Sequence, residues 1–205
     1  MEVFVGRPKK LYRYSERQWL ERTLRFGEFR LRPASAYKEL EPAPARQDDE
    51  RNRVSISKKG TFKITLEQTG AEIETLGDLT RTSSFDRDYY TLCFSSRWDP
   101  GSLEAFEGSD SCLVVHDPEQ VMERVHSEVE RLFPGWVSLD APVTYGTRPN
   151  PLGVPFSKPE QYVFQAEHRL VVIPPEPQVL VPVNVVIGSI EDVAEIVDRT
   201  YAPAI

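Results

Sequence analysis

The chain has 205 residues, of which 40% are hydrophobic and 28% are charged, and its formal net charge at pH 7 is −7. This composition is typical of a folded domain and excludes disordered and fibrous classes. The negative charge argues against non-specific binding of nucleic acid by the whole surface. No obvious boundary divides the chain, so we expect a single domain over residues 1–205. No long apolar segment or signal-peptide pattern is present, so we expect it in the cytoplasm and without a membrane partner.

The positive charge is concentrated at the start of the chain. Residues 1–32 contain nine Lys and Arg residues against four Glu residues, so this region has a net charge of +5 and the remainder −12. A basic surface of this kind could bind a phosphate or another anion. A solvated helix face would show the same pattern, so both interpretations stay open.

The first predicted elements are strand, helix and strand. Residues 10–14 are aromatic and predict a strand, and Ser15 with Gln18 forms a capping-box pattern for the helix that follows. Gly27 is placed to end that helix. Residues 28–32 alternate between polar and apolar side chains, which predicts a half-buried strand.

Residues 41–60 predict a loop that could lie over a cleft. The segment contains two prolines and then the polar run 46–52. Its carboxylates at Asp48, Asp49 and Glu50 could hold a divalent cation. Because such a run is more often a solvated loop, we expect no bound metal.

The middle of the chain predicts short strands and one long helix. Residues 61–66 alternate, residues 89–94 are rich in β-forming side chains and predict a central strand, and residues 112–115 predict a buried strand. Asp117 followed by Pro118 predicts a helix start, because Asp caps the free N–H groups and Pro suits the first turn.

The last third predicts strands and a final helix. Residues 143–146 form a short strand, residues 164–172 a strand that enters the core, and residues 179–187 a long buried strand. Residues 190–199 predict the last helix. Strands outnumber helices, which indicates an α+β domain with a mixed or antiparallel sheet and about three flanking helices.

The strand predicted at 164–172 carries the strongest candidate site. Gln165, Glu167 and Arg169 stand at alternate positions, so they would line one wall of the sheet. Ser95 and Ser96 follow the central strand, and polar groups at such strand ends are a common place for a site. The same hydroxyls could also serve only the turn backbone.

Four short motifs occur in a defined order: LYRY at 11–14, LCFS at 92–95, VTY at 143–145, and Lys158 followed by EHRL at 167–170. In this order the chain resembles a widespread family of uncharacterised bacterial and phage proteins. Two motifs of that family differ here, because 41–49 reads EPAPARQDD where members carry an Asn-Asp-Pro turn and Phe106 replaces a Trp-x-x-Tyr motif. The resemblance implies a shared fold and no particular activity.

A second resemblance concerns three signatures. Arg13 lies on an early strand, Ser95 and Ser96 end a later strand, and Gln165 with Glu167 forms a Gln-x-Glu pair. The order is similar to that of mono-ADP-ribosyltransferases of the arginine–serine–glutamate class. The resemblance implies an ADP-ribosyltransferase-like fold and NAD as the substrate.

The resemblance also implies a catalytic role for three residues. Glu167 would stabilise the oxocarbenium-like cation that forms when the nicotinamide–ribose bond breaks, and would bond a ribose hydroxyl. Ser95 would fix the ribose or the carboxylate, and Gln165 would orient the acceptor.

Binding of NAD would fall to a second group of residues. Arg13 would hold the pyrophosphate, and Tyr14 or Tyr37 would stack on the nicotinamide ring. The further binding residues expected are Ser96, Lys158 and Arg169.

Two functional hypotheses follow, with a third that is weaker. The first is an NAD-consuming transferase or glycohydrolase, acting as a toxin or defence effector on a small nucleotide or a protein acceptor. It requires Arg13, Ser95 or Ser96, and Glu167 to converge on a cleft. The second is a non-catalytic module that binds a nucleotide or a protein, in which Glu167 only forms ion pairs. The third is metal-dependent phosphodiester hydrolysis by the carboxylates at 48–50.

Overall fold

The computed structural model describes residues 6–37, 49–106, 108–147 and 150–202. The strands are β1 (Leu11–Ser15), β2 (Glu28–Pro33), β3 (Asn52–Ser57), β4 (Ile64–Thr65), β5 (Glu72–Ile73), β6 (Leu79–Ser84), β7 (Tyr90–Ser95), β8 (Ser111–Val115), β9 (Val137–Pro142), β10 (Thr144–Tyr145), β11 (Ser157–Lys158), β12 (Glu167–Ile173), β13 (Val183–Val186) and β14 (Ala194–Val197). The α-helices are α1 (Arg17–Phe26), α2 (Ser102–Ala105) and α3 (Pro118–Leu132), and 3-10 helices cover Ala34–Tyr37, Val154–Phe156 and Glu160–Gln165. Within these ranges, none of the helices has the length and apolar character that crossing a membrane requires.

Eight strands form one sheet in which all neighbours are antiparallel. The order along the sheet is β13, β2, β7, β1, β8, β14, and β12 pairs with both β7 and β9. Strand β7 therefore lies at the centre, as the β-rich stretch 89–94 predicts. The observed sheet with its flanking helices confirms the predicted α+β class.

The register of the strands divides their side chains between two faces, because successive residues of a strand point to opposite sides. One face, here called the helix face, carries the main apolar core, in which Leu92 and Leu170 are fully buried together with Val121 and Val125 of α3. The opposite face, here called the cleft face, carries polar residues of β7 and β12. Polar side chains on the inner part of a sheet point to a role other than packing.

The sheet forks beside β7. Pairing of β7 with β2 involves Tyr90 and Thr91, whereas its pairing with β1 is at Ser95. Helix α1 connects β1 to β2. The two strands therefore share one edge of β7 and diverge along it, which leaves a gap in the sheet between them.

Gly27 ends α1 as the sequence predicts, and its backbone is left-handed with φ of 63°. A Cβ atom at this position would lie 2.0 Å from the carbonyl oxygen of Gly188. Only glycine tolerates both the backbone conformation and the close contact. Gly27 thus sets the direction in which β2 leaves the fork.

The two long helices begin in different ways. Asp117 caps α3 as predicted, because its Oδ1 accepts a hydrogen bond of 3.0 Å from the backbone of Gln120. The capping box predicted at Ser15 is wrong, since Ser15 ends β1 and pairs with Ser111. The first helical N–H, that of Arg17, is instead satisfied by Asp110 Oδ1 at 2.7 Å, a contact from a distant part of the chain.

The predicted last helix at 190–199 is wrong. Residues 194–197 form β14, which pairs with residues 112–115 of β8. The edge of β8 needs a hydrogen-bonding partner, and the β-branched residues of this segment suit a strand. The strand predicted at 179–187 is shorter than expected, since β13 covers Val183–Val186 and Val179 is 95% exposed.

Residues 49–85 differ most from the predictions. The loop predicted at 41–60 lies outside the described residues up to 48, and beyond this it gives way to β3, which pairs with β6 as a two-stranded ribbon. Of the strand predicted at 61–66, only Ile64 and Thr65 form a strand, and Leu66 is 48% exposed. The alternating pattern is present, but its apolar side chains are at most half-buried.

A buried carboxylate on the helix face links several parts of the chain by hydrogen bonds. Asp140 of β9 accepts hydrogen bonds of 2.8 and 2.7 Å from Arg7, 2.7 Å from His126 of α3 and 2.8 Å from His168 of β12. Its side chain is only 4% exposed. Burial alone would raise the pKa of Asp140, but the hydrogen bonds from Arg7, His126 and His168 outweigh it and hold the pKa well below the ordinary value.

We expect Asp140→Asn to lower the free energy of unfolding by about 2 kcal/mol or more at pH 7, because hydrogen bonds to charged groups are lost in a buried site. A carboxyl group whose pKa is lowered by folding stabilises the folded protein at pH values above its unfolded pKa. This stabilisation is lost as the pH falls and the group is protonated. The difference between wild type and variant should therefore shrink below about pH 4. Urea denaturation from pH 7 to pH 3 measures this. Asp78→Asn is the control, since Asp78 forms an exposed pair with Lys58 and should change stability little at either pH.

Candidate functional site

A cleft of about 660 Å³ opens on the cleft face at the fork between β1 and β2. Its walls come from β1, α1, β2, β7, β11 and the start of β12. The volume lies in the range of ligand pockets, which are about 300–1,000 Å³. The fork thus produces a cavity at the centre of the sheet.

Glu167 and Ser95 are direct cross-strand neighbours on one wall of the cleft. Directly opposite residues in an antiparallel pair have Cβ atoms about 4.5–5.5 Å apart. In the next pair on the same face, Arg169 lies opposite Cys93. The two-residue period of a strand therefore places the side chains of Glu167 and Arg169 on one face of the sheet, as expected.

Four buried charges form a compact cluster at this wall. Arg169 Nε donates to Glu167 Oε1 at 2.6 Å, and Lys158 Nζ lies 2.8 Å from Glu167 Oε2. Arg169 also binds Glu50 through both terminal nitrogens, with Nη2 3.0 Å from Oε1, and donates to the carbonyl oxygen of Pro155 at 2.7 Å. Two acids and two bases meet here, so the cluster is neutral as a whole.

Mutual attraction keeps Glu167, Lys158 and Arg169 charged. Burial by itself would raise the pKa of Glu167, but Arg169 and Lys158 outweigh it and hold the pKa well below the ordinary value. Burial would lower the pKa of Lys158, and Glu167 with Glu50 raises it above the ordinary value instead. Glu167 is therefore an ionised carboxylate on the wall of a cavity, where its charge is screened less than in water.

Gln165 reaches the cluster by a route that differs from the prediction. It is not part of β12 but ends the 3-10 helix Glu160–Gln165, and Ala166 follows with a positive φ of 43°. This kink separates Gln165 from the strand. Its side chain nevertheless lines the cleft, and its Oε1 accepts a hydrogen bond of 2.9 Å from Lys158. Gln165 and Glu167 lie close together as predicted, but the strand predicted at 164–172 begins only at Glu167.

Arg13 enters the cleft through the fork. Its neighbour Tyr12 pairs with Ser95, so Arg13 belongs by register to the helix face. Its guanidinium turns into the gap, lies 5.8 Å from the ring centroid of Phe94, and donates to the carbonyl oxygen of Cys93 at 2.9 Å. The divergence of β1 and β2 is what allows this side chain to reach the cavity.

Tyr14 and Tyr37 lie at different parts of the cleft. Tyr14 stacks on Trp98 and Phe106 at ring-centroid distances of 5.8 and 6.0 Å, and its hydroxyl accepts from the backbone of Asp99. The hydroxyl of Tyr37 lies 3.3 Å from Thr91 Oγ1 of β7, and burial raises the pKa of Tyr37 to about 12. Tyr37 is thus the tyrosine nearer the centre of the sheet.

The two serines at the end of β7 support the turn. Ser95 Oγ donates to the carbonyl oxygen of Arg97 at 2.8 Å and accepts from its N–H, while Ser96 Oγ donates to the carbonyl oxygen of Ala166 at 2.8 Å. Both hydroxyls thus bind turn backbone. Only Ser95 of the two is also part of the cleft wall.

Glu50 belongs to this cluster, although the sequence predicts a different role for it. It was predicted with Asp48 and Asp49 as a possible cation ligand, but its side chain is 4% exposed and pairs with Arg169. Asp48 lies outside the described residues. Among the residues that the structure describes, no three His, Cys, Asp or Glu side chains are grouped as a metal ion would require.

The rest of the cleft wall adds basic and aromatic side chains. Three arginines of α1 and β2 contribute to it, and Glu28 accompanies them and pairs with one of them. Among the described residues the wall contains five basic groups, including Arg13 and Lys158, against three acidic ones. The three arginines are Arg22, Arg30 and Arg32. Such a cavity favours an anionic ligand.

Most of the predicted site residues meet at this cleft. Its wall includes Arg13, Tyr14, Tyr37, Ser95, Lys158, Gln165 and Glu167. Arg169 is fully buried behind Glu167, and Ser96 is exposed on the turn. Comparison with protein-family models, with curated proteins and with solved structures gave no match. A functional proposal therefore depends on the geometry and chemistry of the cleft itself.

Proposed function

We propose that the cleft binds NAD and that Glu167 promotes cleavage of its nicotinamide–ribose bond. The observation that supports this most is the convergence of Arg13, Ser95, Gln165 and Glu167 on one cavity. These residues come from three separate parts of the chain, and each has a chemical task in this reaction. An NAD-consuming activity would suit a toxin or defence effector of bacteria or phages.

The proposed step begins with loss of nicotinamide. The bond between the ribose C1′ and the ring nitrogen breaks, and its electron pair leaves with nicotinamide. The ribosyl cation that forms is then attacked by water or by an acceptor nucleophile, which gives up a proton. Glu167 remains ionised throughout, because Arg169 and Lys158 hold its pKa low, and its charge faces the cation.

The ion pairs of Glu167 leave room for this task. A carboxylate has about four lone-pair positions on its two oxygens. Arg169 and Lys158 each use one of them, and the thiol of Cys93 uses a third. The remaining position can accept a ribose hydroxyl at the cleft side, while the two cations fix the direction of the carboxylate. Ser95, opposite Glu167 on β7, lies where it can bind the same ribose.

The arginines of the cavity suit the pyrophosphate. Arg13 sits in the fork, and Arg30 and Arg32 occupy alternate positions on the cleft face of β2. Guanidinium groups bind phosphate oxygens with two parallel hydrogen bonds, which gives them direction as well as charge. An extended dinucleotide could therefore bridge from β2 to Glu167.

A second candidate function is binding without chemistry. It is favoured by the engagement of both oxygens of Glu167 and by the neutrality of the four-charge cluster. In this case the cluster only stabilises the wall, and the basic residues recognise a nucleotide or a protein partner. The two candidates share the cavity and differ in whether bound NAD is consumed.

Calorimetry with NAD and an assay of nicotinamide release test the proposal on the wild-type protein. Arg13→Gln should weaken NAD binding about tenfold or more, because a charge-assisted hydrogen bond is lost. Arg17→Gln is the control, since Arg17 lies outside the cleft and pairs with Glu21 on the exposed side of α1. Binding with release supports the transferase or glycohydrolase. Binding without release favours the binding module, and absence of both contradicts the proposal that the cleft binds NAD.

A further inference from the structure

A chain of hydrogen bonds joins a serine, a histidine and a carboxylate on the helix face of the sheet. Ser138 Oγ lies 2.7 Å from His126 Nδ1, and His126 Nε2 lies 2.7 Å from Asp140 Oδ1. None of these three residues lines the cleft that we propose to bind NAD. The order of the groups is that of a nucleophile, a general base and the carboxylate that orients the base.

The fold brings these side chains together from a strand and a long helix. Ser138 and Asp140 stand at alternate positions of β9, so they point to one face of the sheet. They pair with Val172 and Leu170 of β12, which are fully buried in the core of the helix face. His126 comes from α3, and its side chain is 24% exposed. Because Ser138 is also only half-buried, a reactant from solution can reach both groups.

Asp140 determines which nitrogen of His126 carries the proton. Burial acts against ionisation of Asp140, but its hydrogen bonds from Arg7, His126 and His168 hold the pKa of this carboxyl well below the ordinary value. An ionised carboxylate only accepts hydrogen bonds, so Nε2 of His126 is the donor. In the neutral imidazole Nδ1 then has a free lone pair. The hydroxyl of Ser138 therefore donates to this nitrogen.

The oxygen of Ser138 differs from those of the serines at the end of β7. Ser95 and Ser96 donate to backbone carbonyl oxygens of a turn. Ser138 Oγ donates to an imidazole, and within the part of the chain that the structure describes it has no second hydrogen-bonding partner. Its lone pairs therefore stay available for attack on an electrophile, while its proton already points to a base.

The edge of the sheet supplies the donors that such a nucleophile needs. Among the described residues, β9 pairs only with β12, so its other side is a free edge. Every second backbone N–H group of an edge strand points away from the sheet and has no partner strand. Backbone N–H groups of this kind stabilise the negative oxygen of a tetrahedral intermediate in acyl transfer.

We propose that Ser138 is the nucleophile of an ester-hydrolysing site, with His126 as general base and small carboxylic esters as substrates. Ser138 Oγ attacks the carbonyl carbon, and its proton moves to His126 Nδ1. The bond from this carbon to the alcohol oxygen then breaks, and His126 returns the proton to the alcohol. Water, which gives a proton to His126, releases the acid from Ser138 and restores the hydroxyl. Asp140 is a positioning residue that acts through His126.

Hydrolysis of p-nitrophenyl acetate and labelling by a tagged fluorophosphonate test this site. In the labelling reaction Ser138 Oγ replaces fluoride on phosphorus, and mass spectrometry of proteolytic peptides locates the adduct. Wild type should hydrolyse the ester and carry the label on Ser138. Ser138→Ala should lose the label and most of the ester turnover. His126→Gln should lower the labelling rate about 10²-fold or more, which is the usual contribution of a general base.

Ser127→Ala is the matched control, since Ser127 is exposed on α3 beside His126 and its loss should leave both reactions unchanged. His126 also binds Asp140, so the rates of its variant are normalised to the folded fraction from urea denaturation. Neither reaction contains NAD, so this proposal and the one for the cleft can fail separately. The proposal is overturned if folded protein is labelled no faster than heat-denatured protein, if the label lies on another residue, or if Ser138→Ala keeps the ester turnover of wild type.

Discussion

Glu167→Gln is expected to lower the rate of nicotinamide release about 10²–10³-fold, which is the usual effect of removing one preorganised electrostatic group from a transition state. The amide keeps the shape of the side chain but removes the negative charge that faces the ribosyl cation. NAD binding should change much less than turnover, because the cation exists only in the transition state. A fall in kcat with a nearly constant KM is therefore the expected signature.

The variant also disturbs the charge cluster, so stability must be measured beside activity. Without the charge of Glu167, two buried cations are left with Glu50 as the only acid of the cluster. Glu50→Gln is the matched control, because it removes one negative charge from the same cluster while Glu167 stays in place. Turnover should be normalised to the folded fraction from urea denaturation for both variants.

A purely structural role of Glu167 would give a different result. In that case the two variants would lose turnover in proportion to their loss of folded protein, and kcat of the folded fraction would be unchanged in both. The catalytic proposal requires kcat of folded Glu167→Gln to fall far below that of folded Glu50→Gln.

Local patterns predicted the elements that lie at the centre of the sheet. Residues 28–32 alternate and form β2, the β-rich stretch 89–94 forms β7, and Asp117 caps α3. In each of these cases the local preference and the tertiary contacts favour the same structure. The sequence was therefore sufficient for the α+β class and for the central strand.

Contacts between distant residues decided the elements that the sequence missed. Residues 190–199 have apolar side chains that suit a helix or a strand, and the free edge of β8, about 80 residues earlier, selects the strand β14. Residues 61–66 alternate as a strand should, but their apolar side chains are at most half-buried. A periodic pattern shows which secondary structures a segment can form, whereas its tertiary contacts decide which one it forms.

The candidate site was likewise only partly predictable from the sequence. The spacing of Glu167 and Arg169 was enough to place both on one face. The entry of Arg13 through the fork was not, because it depends on how β1 and β2 diverge from β7. Glu50 had no local signal, since its partner Arg169 lies 119 residues away along the chain. A buried guanidinium predicts that acids must surround it, but not which ones.

Arg169→Met is expected to lower the free energy of unfolding by about 3–5 kcal/mol, because breaking a buried ion pair from one side leaves an uncompensated charge. Arg169 is fully buried and neutralises both Glu50 and Glu167. Only Lys158 would remain for the two carboxylates. Methionine fills much of the arginine stem, so the loss reports charge rather than a cavity. Arg25→Met, at the exposed last turn of α1, should change stability by only about 0.5 kcal/mol.

The pH dependence and a double variant identify the cause of this loss. In Arg169→Met one carboxylate lacks a counter-charge, so burial raises its pKa above the unfolded value. Such a carboxyl group lowers the free energy of unfolding at pH values above its unfolded pKa. This loss of stability becomes smaller as the pH falls and the group is protonated. Urea denaturation should therefore show a smaller gap to wild type at pH 5 than at pH 7. Glu50→Met combined with Arg169→Met leaves Lys158 paired with Glu167 and should recover part of the stability. A loss below about 1 kcal/mol in the single variant would mean that water reaches the cluster, as it does in exposed pairs.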